Sequence, residues 1–190
     1  DDSLTDDERN VIYYLTVYNE PMAQPVEPEN VDREGILRGM YLYAAGSSEG
    51  LPESAPRVQL LASGVGMGWA LEAQELLRSD WGVVADVFSV TSWNELRRDG
   101  LRCDEAAFLN PDAEAPVPWV TQQLAGRPGP VVAVSDYMRA VQDQIAQWVP
   151  GDFSSLGADG FGFSDTRPAA RRFFNVDAES VVVAVLEALA

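Results

Sequence analysis

The apolar positions of this chain fall into short blocks separated by polar, glycine- and proline-rich breaks. Arg57–Ser63 (RVQLLAS), Val83–Val90 and Pro130–Ser135 (PVVAVS) are β-branched and leucine-rich runs, each short enough to be a strand buried on both faces. Ser154–Leu156 predicts a short fourth strand. Between them the spacing becomes helical. Trp69, Ala73 and Leu76 share one face of a helix over 69–79, with Glu72 and Glu75 outside. Ser92-Trp-Asn-Glu95 has capping-box spacing and opens a helix that Gly100 is expected to interrupt. Asp32 is expected to cap a helix running to about Tyr43. A short helix is expected over Trp119–Ala125, and Asp136 is expected to cap one reaching Trp148. Pro168 suits the first turn of a helix ending near Phe174, and Asp177 caps the last one, through Leu189.

Strands alternating with helices predict an α/β fold. It is a three-layer sandwich whose central sheet is mixed but mostly parallel, of about five strands, Rossmann-like in outline. One run stands apart. Residues 11–19 (VIYYLTVYN) read as a buried strand, yet Pro21, Pro25 and Pro28 follow at once and mark a linker. The expected division is therefore a trailing strand of a preceding domain in 1–20, a linker in 21–31 and an α/β domain in 32–190.

Composition narrows the chemistry. The 190 residues carry 30 Asp+Glu against 13 Lys+Arg, a formal charge of −17, and have no His. All the basic residues are Arg. Such a charge disfavours nucleic acid. Without His there is no Ser-His-Asp machinery and no imidazole ligand, and without Lys no Schiff base and no P-loop lysine. A single Cys, Cys103, excludes an internal disulfide and fits a reducing compartment. Its acidic neighbours Asp104 and Glu105 favour a bystander thiol over a nucleophile. No apolar run is long enough to span a membrane, so no membrane role is expected.

Two stretches carry candidate chemistry. Ser63, Gly64 and Gly66 belong to a G-x-G-x-G turn between strand and helix, which is either a plain tight turn or a place where free amides would hold a phosphate. The pattern is not G-x-G-x-x-G, because Trp69 takes the last place, and no acid ends the next strand. The second stretch is Asp159-Gly160-Phe161-Gly162-Phe163-Ser164-Asp165-Thr166-Arg167. Its two carboxylates around one Arg are either an acid–base pair or a loop tied by Arg–Asp contacts, aromatic anchors and helix caps. Arg171 and Arg172 either hold an anion or cover a core edge and pair with acids.

These residues resemble a known family. VIYYLTVYNEPMAQP (11–25), GILRGMY (35–41), VQLLASG (58–64), DVFSVTSWNELRRDG (86–100), VAVSDYM (132–138), LGADGFGFSDTR (156–167) and FFNVDAESVVVAVL (173–186) are similar to the C-terminal domain of the transketolase superfamily. The closer likeness is to the homodimeric bacterial type of pyruvate dehydrogenase decarboxylating component. The resemblance implies a bacterial cytoplasmic homodimer that binds thiamine diphosphate and magnesium between two other domains. It also implies decarboxylation of pyruvate and transfer of the acetyl unit to a lipoyl group on a dihydrolipoyl acetyltransferase. Ala158-Asp159-Gly160 departs from the family's Gly-Asp-Gly cofactor motif, and no Asn-Asn follows it. The resemblance therefore places no catalytic, cofactor or metal residue here. It implies a structural, dimer-supporting domain, inactive alone, whose partners are the preceding domains and the second subunit. Two other readings remain: a stand-alone module binding a nucleotide or small anion at Gly64–Gly68, and an acidic protein-interaction module.

Overall fold

The computed structural model describes residues 21–29, 31–162 and 164–190, and residues 5, 10, 12, 14, 15, 17 and 18 of the stretch before them. Helix α1 (Arg33–Arg38) begins under Asp32, whose Oδ1 accepts the Gly35 amide at 2.9 Å. It stops well short of the expected Tyr43. Gly39 turns left-handed at φ 105° and returns its amide to the Gly35 carbonyl, which terminates the helix. The freed residues become strand β1 (Met40–Ala44). A β-branched and aromatic composition was needed to see this strand, but the apolar spacing of 36, 37, 40 and 41 fits helix equally well.

Strands β2 (Arg57–Ala62), β3 (Val84–Val90), β4 (Val131–Val134) and β5 (Phe153–Leu156) complete a five-stranded sheet of order β1-β3-β2-β4-β5. β1 runs antiparallel to β3; the other pairings are parallel. The edge strand Met40–Ala44 is not among the expected strands, its residues falling to the helix expected after Asp32. The strand expected over 11–19 lies partly outside the described residues; Ile12, Tyr14, Leu15 and Val17 are described, exposed and unpaired in any ladder.

Both faces of the central strands β2, β3 and β4 are buried, which is why these three read as largely apolar runs. Side chains alternate between two cores. Val58, Leu60, Ala62, Val132 and Val134 face helices α2 (Gly66–Trp81) and α7 (Ala178–Leu189), where Ala70, Ala73, Leu77, Val181 and Val185 meet them. Leu61, Phe88, Val131 and Ala133 face the other way. There α3 (Trp93–Leu109), α4 (Trp119–Leu124) and the Ile145–Trp148 turn supply Leu96, Trp119, Val120, Ile145 and Trp148.

Ser92 caps α3 as its spacing predicts, accepting the Glu95 amide at 3.2 Å. Gly100 does not interrupt the helix. A Cβ there would lie 2.4 Å from the Trp148 ring, so the glycine is a packing requirement. The one carboxylate inside the sheet, Asp86, is 5% exposed and answered on both oxygens. Arg127 meets it at 2.7 Å, Arg57 at 3.9 Å, and the Gly46 amide donates at 2.7 Å.

Candidate functional site

In an open parallel sheet, ligands collect at the carboxyl ends of strands where the winding reverses. Here β3 and β4 flank β2 on opposite sides, so the reversal lies between β2 and β4. Three loops meet at that edge: Ser63–Val65 after β2, Ser135–Met138 after β4 and the 157–166 loop after β5. Tyr18 reaches into the same place. It borders a groove of about 250 Å³ with Asp136, Ala158 and Arg167, and one of about 680 Å³ with Ser63, Ser92 and Tyr137.

The expected anion turn is internally committed. The amides of Gly66, Met67 and Gly68 donate to the carbonyls of Ser63, Gly64 and Val65 at 3.0, 3.3 and 3.2 Å. Ser63 is buried, and its Oγ accepts Trp93 Nε1 at 3.0 Å. Gly64 adopts φ 56°, and a Cβ there would stand 2.2 Å from the Tyr18 hydroxyl. Gly66 packs on the end of β4, where a Cβ would meet the Val134 carbonyl at 2.9 Å. The glycines admit Tyr18 and β4, and the three turn amides that would face a phosphate are spent on the turn.

The carboxylates of the 158–167 loop also turn to backbone. Asp159 Oδ1 accepts the amide of Arg139, the first residue of α5 (Arg139–Asp143), at 3.0 Å. Asp165 Oδ1 accepts the Thr166 amide at 2.6 Å. Thr166 in turn caps α6 (Arg167–Phe173) by accepting the Ala169 amide at 3.4 Å. The structure brings Asp159 and Asp165 to separate helix starts and not into an acid–base pair. Gly160, at φ 99°, and Gly162 are exposed, as are Ser164 and Arg167. Phe161 is 98% exposed, which corrects the expectation that it anchors the loop within this chain; Phe163, the other expected anchor, lies outside the described residues.

A second correction concerns Asp136. It does not cap a helix to Trp148; α5 is short, and its cap comes from Asp159. Asp136 Oδ1 instead accepts the Tyr18 hydroxyl at 3.3 Å. Burial and the adjacent Asp136 carboxylate both push the Tyr18 phenol above its usual value. Beneath them Gln142 is fully buried; its Nε2 donates to Ser135 Oγ at 2.6 Å and to the Leu156 carbonyl at 3.0 Å. Neither Tyr18 nor Gln142 stood out in the sequence. A tyrosine before a proline-rich linker carries no ligand signal, and an isolated Gln has no spacing to read.

The two remaining arginines behave as covers and pairs. Arg171 stacks over Trp69 at 5.3 Å. Arg172 pairs with Asp177 and lies 3.0 Å from Glu179. Burial tends to raise the Asp177 carboxyl, but hydrogen bonds from Ser180 and Arg172 outweigh it and hold the group low. Burial raises the Cys103 thiol, followed by Asp99 and Asp104; Asp99, one turn back, takes the place expected of Glu105.

Residues 39–177 match the family model described as the transketolase-like TK C-terminal domain. The chain belongs to this family. As a transketolase-like C-terminal domain, it is 59% identical over 97% of its length to the pyruvate dehydrogenase E1 component of Mycolicibacterium smegmatis. It is 58% identical over 95% to that of Mycobacterium tuberculosis, and 42% over 96% to that of Escherichia coli. It covers 20%, 19% and 20% of those three relatives, about a fifth of each. Solved transketolases share the fold. A split-gene transketolase, described as an inactive beta4 tetramer, superposes with TM-score 0.54 at 20% identity, covering 87% of this chain and 46% of that one. A Pichia stipitis transketolase gives 0.52 at 20% identity, over 85% and 19%. No helix among the described residues is long and apolar enough to cross a membrane.

Proposed function

We propose that this domain is the C-terminal, assembly-supporting part of a thiamine diphosphate-dependent pyruvate dehydrogenase E1 component. On this reading the parent decarboxylates pyruvate and passes the acetyl unit to a lipoyl group on its acetyltransferase partner. The observation that carries the reading is the 59% identity sustained over 97% of the chain. The parent is a bacterial cytoplasmic homodimer. Residues 1–20 trail from its preceding domain, 21–31 connect, and 32–190 form the domain described here. The four exposed apolar side chains Ile12, Tyr14, Leu15 and Val17 support that division, because a buried sheet elsewhere would cover them.

The residues present do not fit thiamine diphosphate and magnesium. Among the described residues no three His, Cys, Asp or Glu side chains come together to hold a cation. The three turn amides suited to a phosphate are bonded within the Ser63–Gly68 turn. The cofactor belongs to the rest of the parent, and no catalytic step is assigned to this chain.

Calorimetric titration separates this reading from the nucleotide-module alternative. The chain is expected to give no saturable heat with thiamine diphosphate and magnesium, and none with adenine nucleotides. Saturable thiamine diphosphate binding overturns the assignment of the cofactor to other domains. Saturable nucleotide binding abolished by Gly66→Trp favours the module.

A further inference from the structure

Three of the exposed large apolar side chains share the carboxyl-end edge. Phe161 is 98% exposed, Met138 56% and Tyr137 45%. Their loops are fastened together. The Ala158 amide donates to the Tyr137 carbonyl at 2.9 Å, and Asp159 holds the Arg139 amide at 3.0 Å. Gly157 lies so close that a Cβ would stand 2.6 Å from the Tyr137 carbonyl and 2.7 Å from the Arg139 nitrogen. Phe161 is therefore presented on a braced loop, and an aromatic ring held in water forgoes the full benefit of burial.

What covers it is indicated by the course of the chain. Tyr18 sits on this edge, bonded to Asp136 and bordering one groove with Ala158 and Arg167. The segment then leads away: Met22 packs on the α2–α7 side of the sheet, and the Val26 carbonyl accepts the Tyr43 hydroxyl at 2.6 Å. Polypeptide on the amino-terminal side of Tyr18 is thus delivered to the edge that carries Phe161. Its apolar members there, Leu15 and Val17, are exposed as well.

We propose that the edge formed by Tyr137, Met138 and Phe161 is the seat for the preceding domain of the same polypeptide, with Phe161 entering an apolar recess on it. The proposal rests on the reading of this chain as one domain of a longer E1 polypeptide.

The test uses the full-length parent with p-benzoylphenylalanine in place of Phe161, an aromatic of the same attachment. Irradiation is expected to join position 161 to residues upstream of this segment, in a product of single-chain mass. The same group at Phe108, which is 84% exposed near the far end of α3, gives no such product. Cross-linking of position 161 only to a second copy or to a separate protein, or to nothing, overturns the proposal. In the same parent, Phe161→Asp is expected to speed protease cleavage within residues 21–31 by about tenfold or more, because separation of the domains exposes the connection. An unchanged rate also overturns it. Pyruvate decarboxylation by the unmodified parent is read separately: an inactive parent with the cross-link intact defeats the E1 reading and leaves the interface standing.

Discussion

Asp159 Oδ1 lies 3.0 Å from the amide of Arg139, so α5 takes its cap from a residue 20 positions downstream. The contact binds the loop after β5 to the loop after β4 and sets the shape of the carboxyl-end edge. Asp159→Ala is expected to destabilise the domain by about 1 kcal/mol, the worth of a lost helix cap, while Asp159→Asn retains most of it. Urea midpoints of the three proteins check this. Equal losses for both variants contradict the capping role.

Gly100 and Trp148 make a second exacting pair. An exposed helical glycine changed to alanine gains about 1 kcal/mol from propensity. Here the added carbon strikes the indole, and overpacking costs about 1–3 kcal/mol. Gly100→Ala is therefore expected to lower the thermal midpoint. A rise contradicts the packing described for α3.

Asp86 is buried between Arg127 and Arg57. Removing one member of a buried pair typically costs about 3–5 kcal/mol. Because the arginines keep partial contact with water, Asp86→Ala is expected near the lower end of that range. A urea midpoint within error of the parent sequence is the contrary result.

Asp177 gives the domain a defined acid dependence. Its folded-state carboxyl is held low by Ser180 and Arg172 against the effect of burial. Its contribution is thus complete above the unfolded carboxyl value of about 4 and is lost as pH falls through the lower folded value. In Asp177→Asn the stability difference from the parent sequence is expected to shrink as pH falls below about 4. A difference that stays constant from neutral pH to pH 3 contradicts it.

Much of the fold is legible in the sequence because its signals are local. Strands β2, β3 and β4 are largely apolar runs, and Ser92 and Asp177 cap helices at the positions their spacing marks. The misreadings arise where two assignments satisfy the same local pattern. Met40–Ala44 is apolar enough for helix or strand, and only the left-handed Gly39 decides. Gly100 looks like a break until Trp148 fills the space beside it. Asp136 and Asp159 are both acids near the start of α5, and tertiary geometry gives the cap to the distant one. The edge itself was legible in part. The 158–167 motif marks the loop, but the partnership of Tyr18 with Gly64 and Asp136 spans more than a hundred residues and leaves no periodic trace. The exposure of Phe161 depends on what surrounds the ring in space, which composition does not encode.

The most direct measurement is pyruvate-dependent release of carbon dioxide, with thiamine diphosphate and magnesium supplied, by this chain alone and by the polypeptide that joins it to the upstream four fifths of an E1 component. The account predicts turnover by the joined polypeptide and none by the chain. Turnover by the chain alone, or a joined polypeptide that leaves pyruvate untouched, contradicts it.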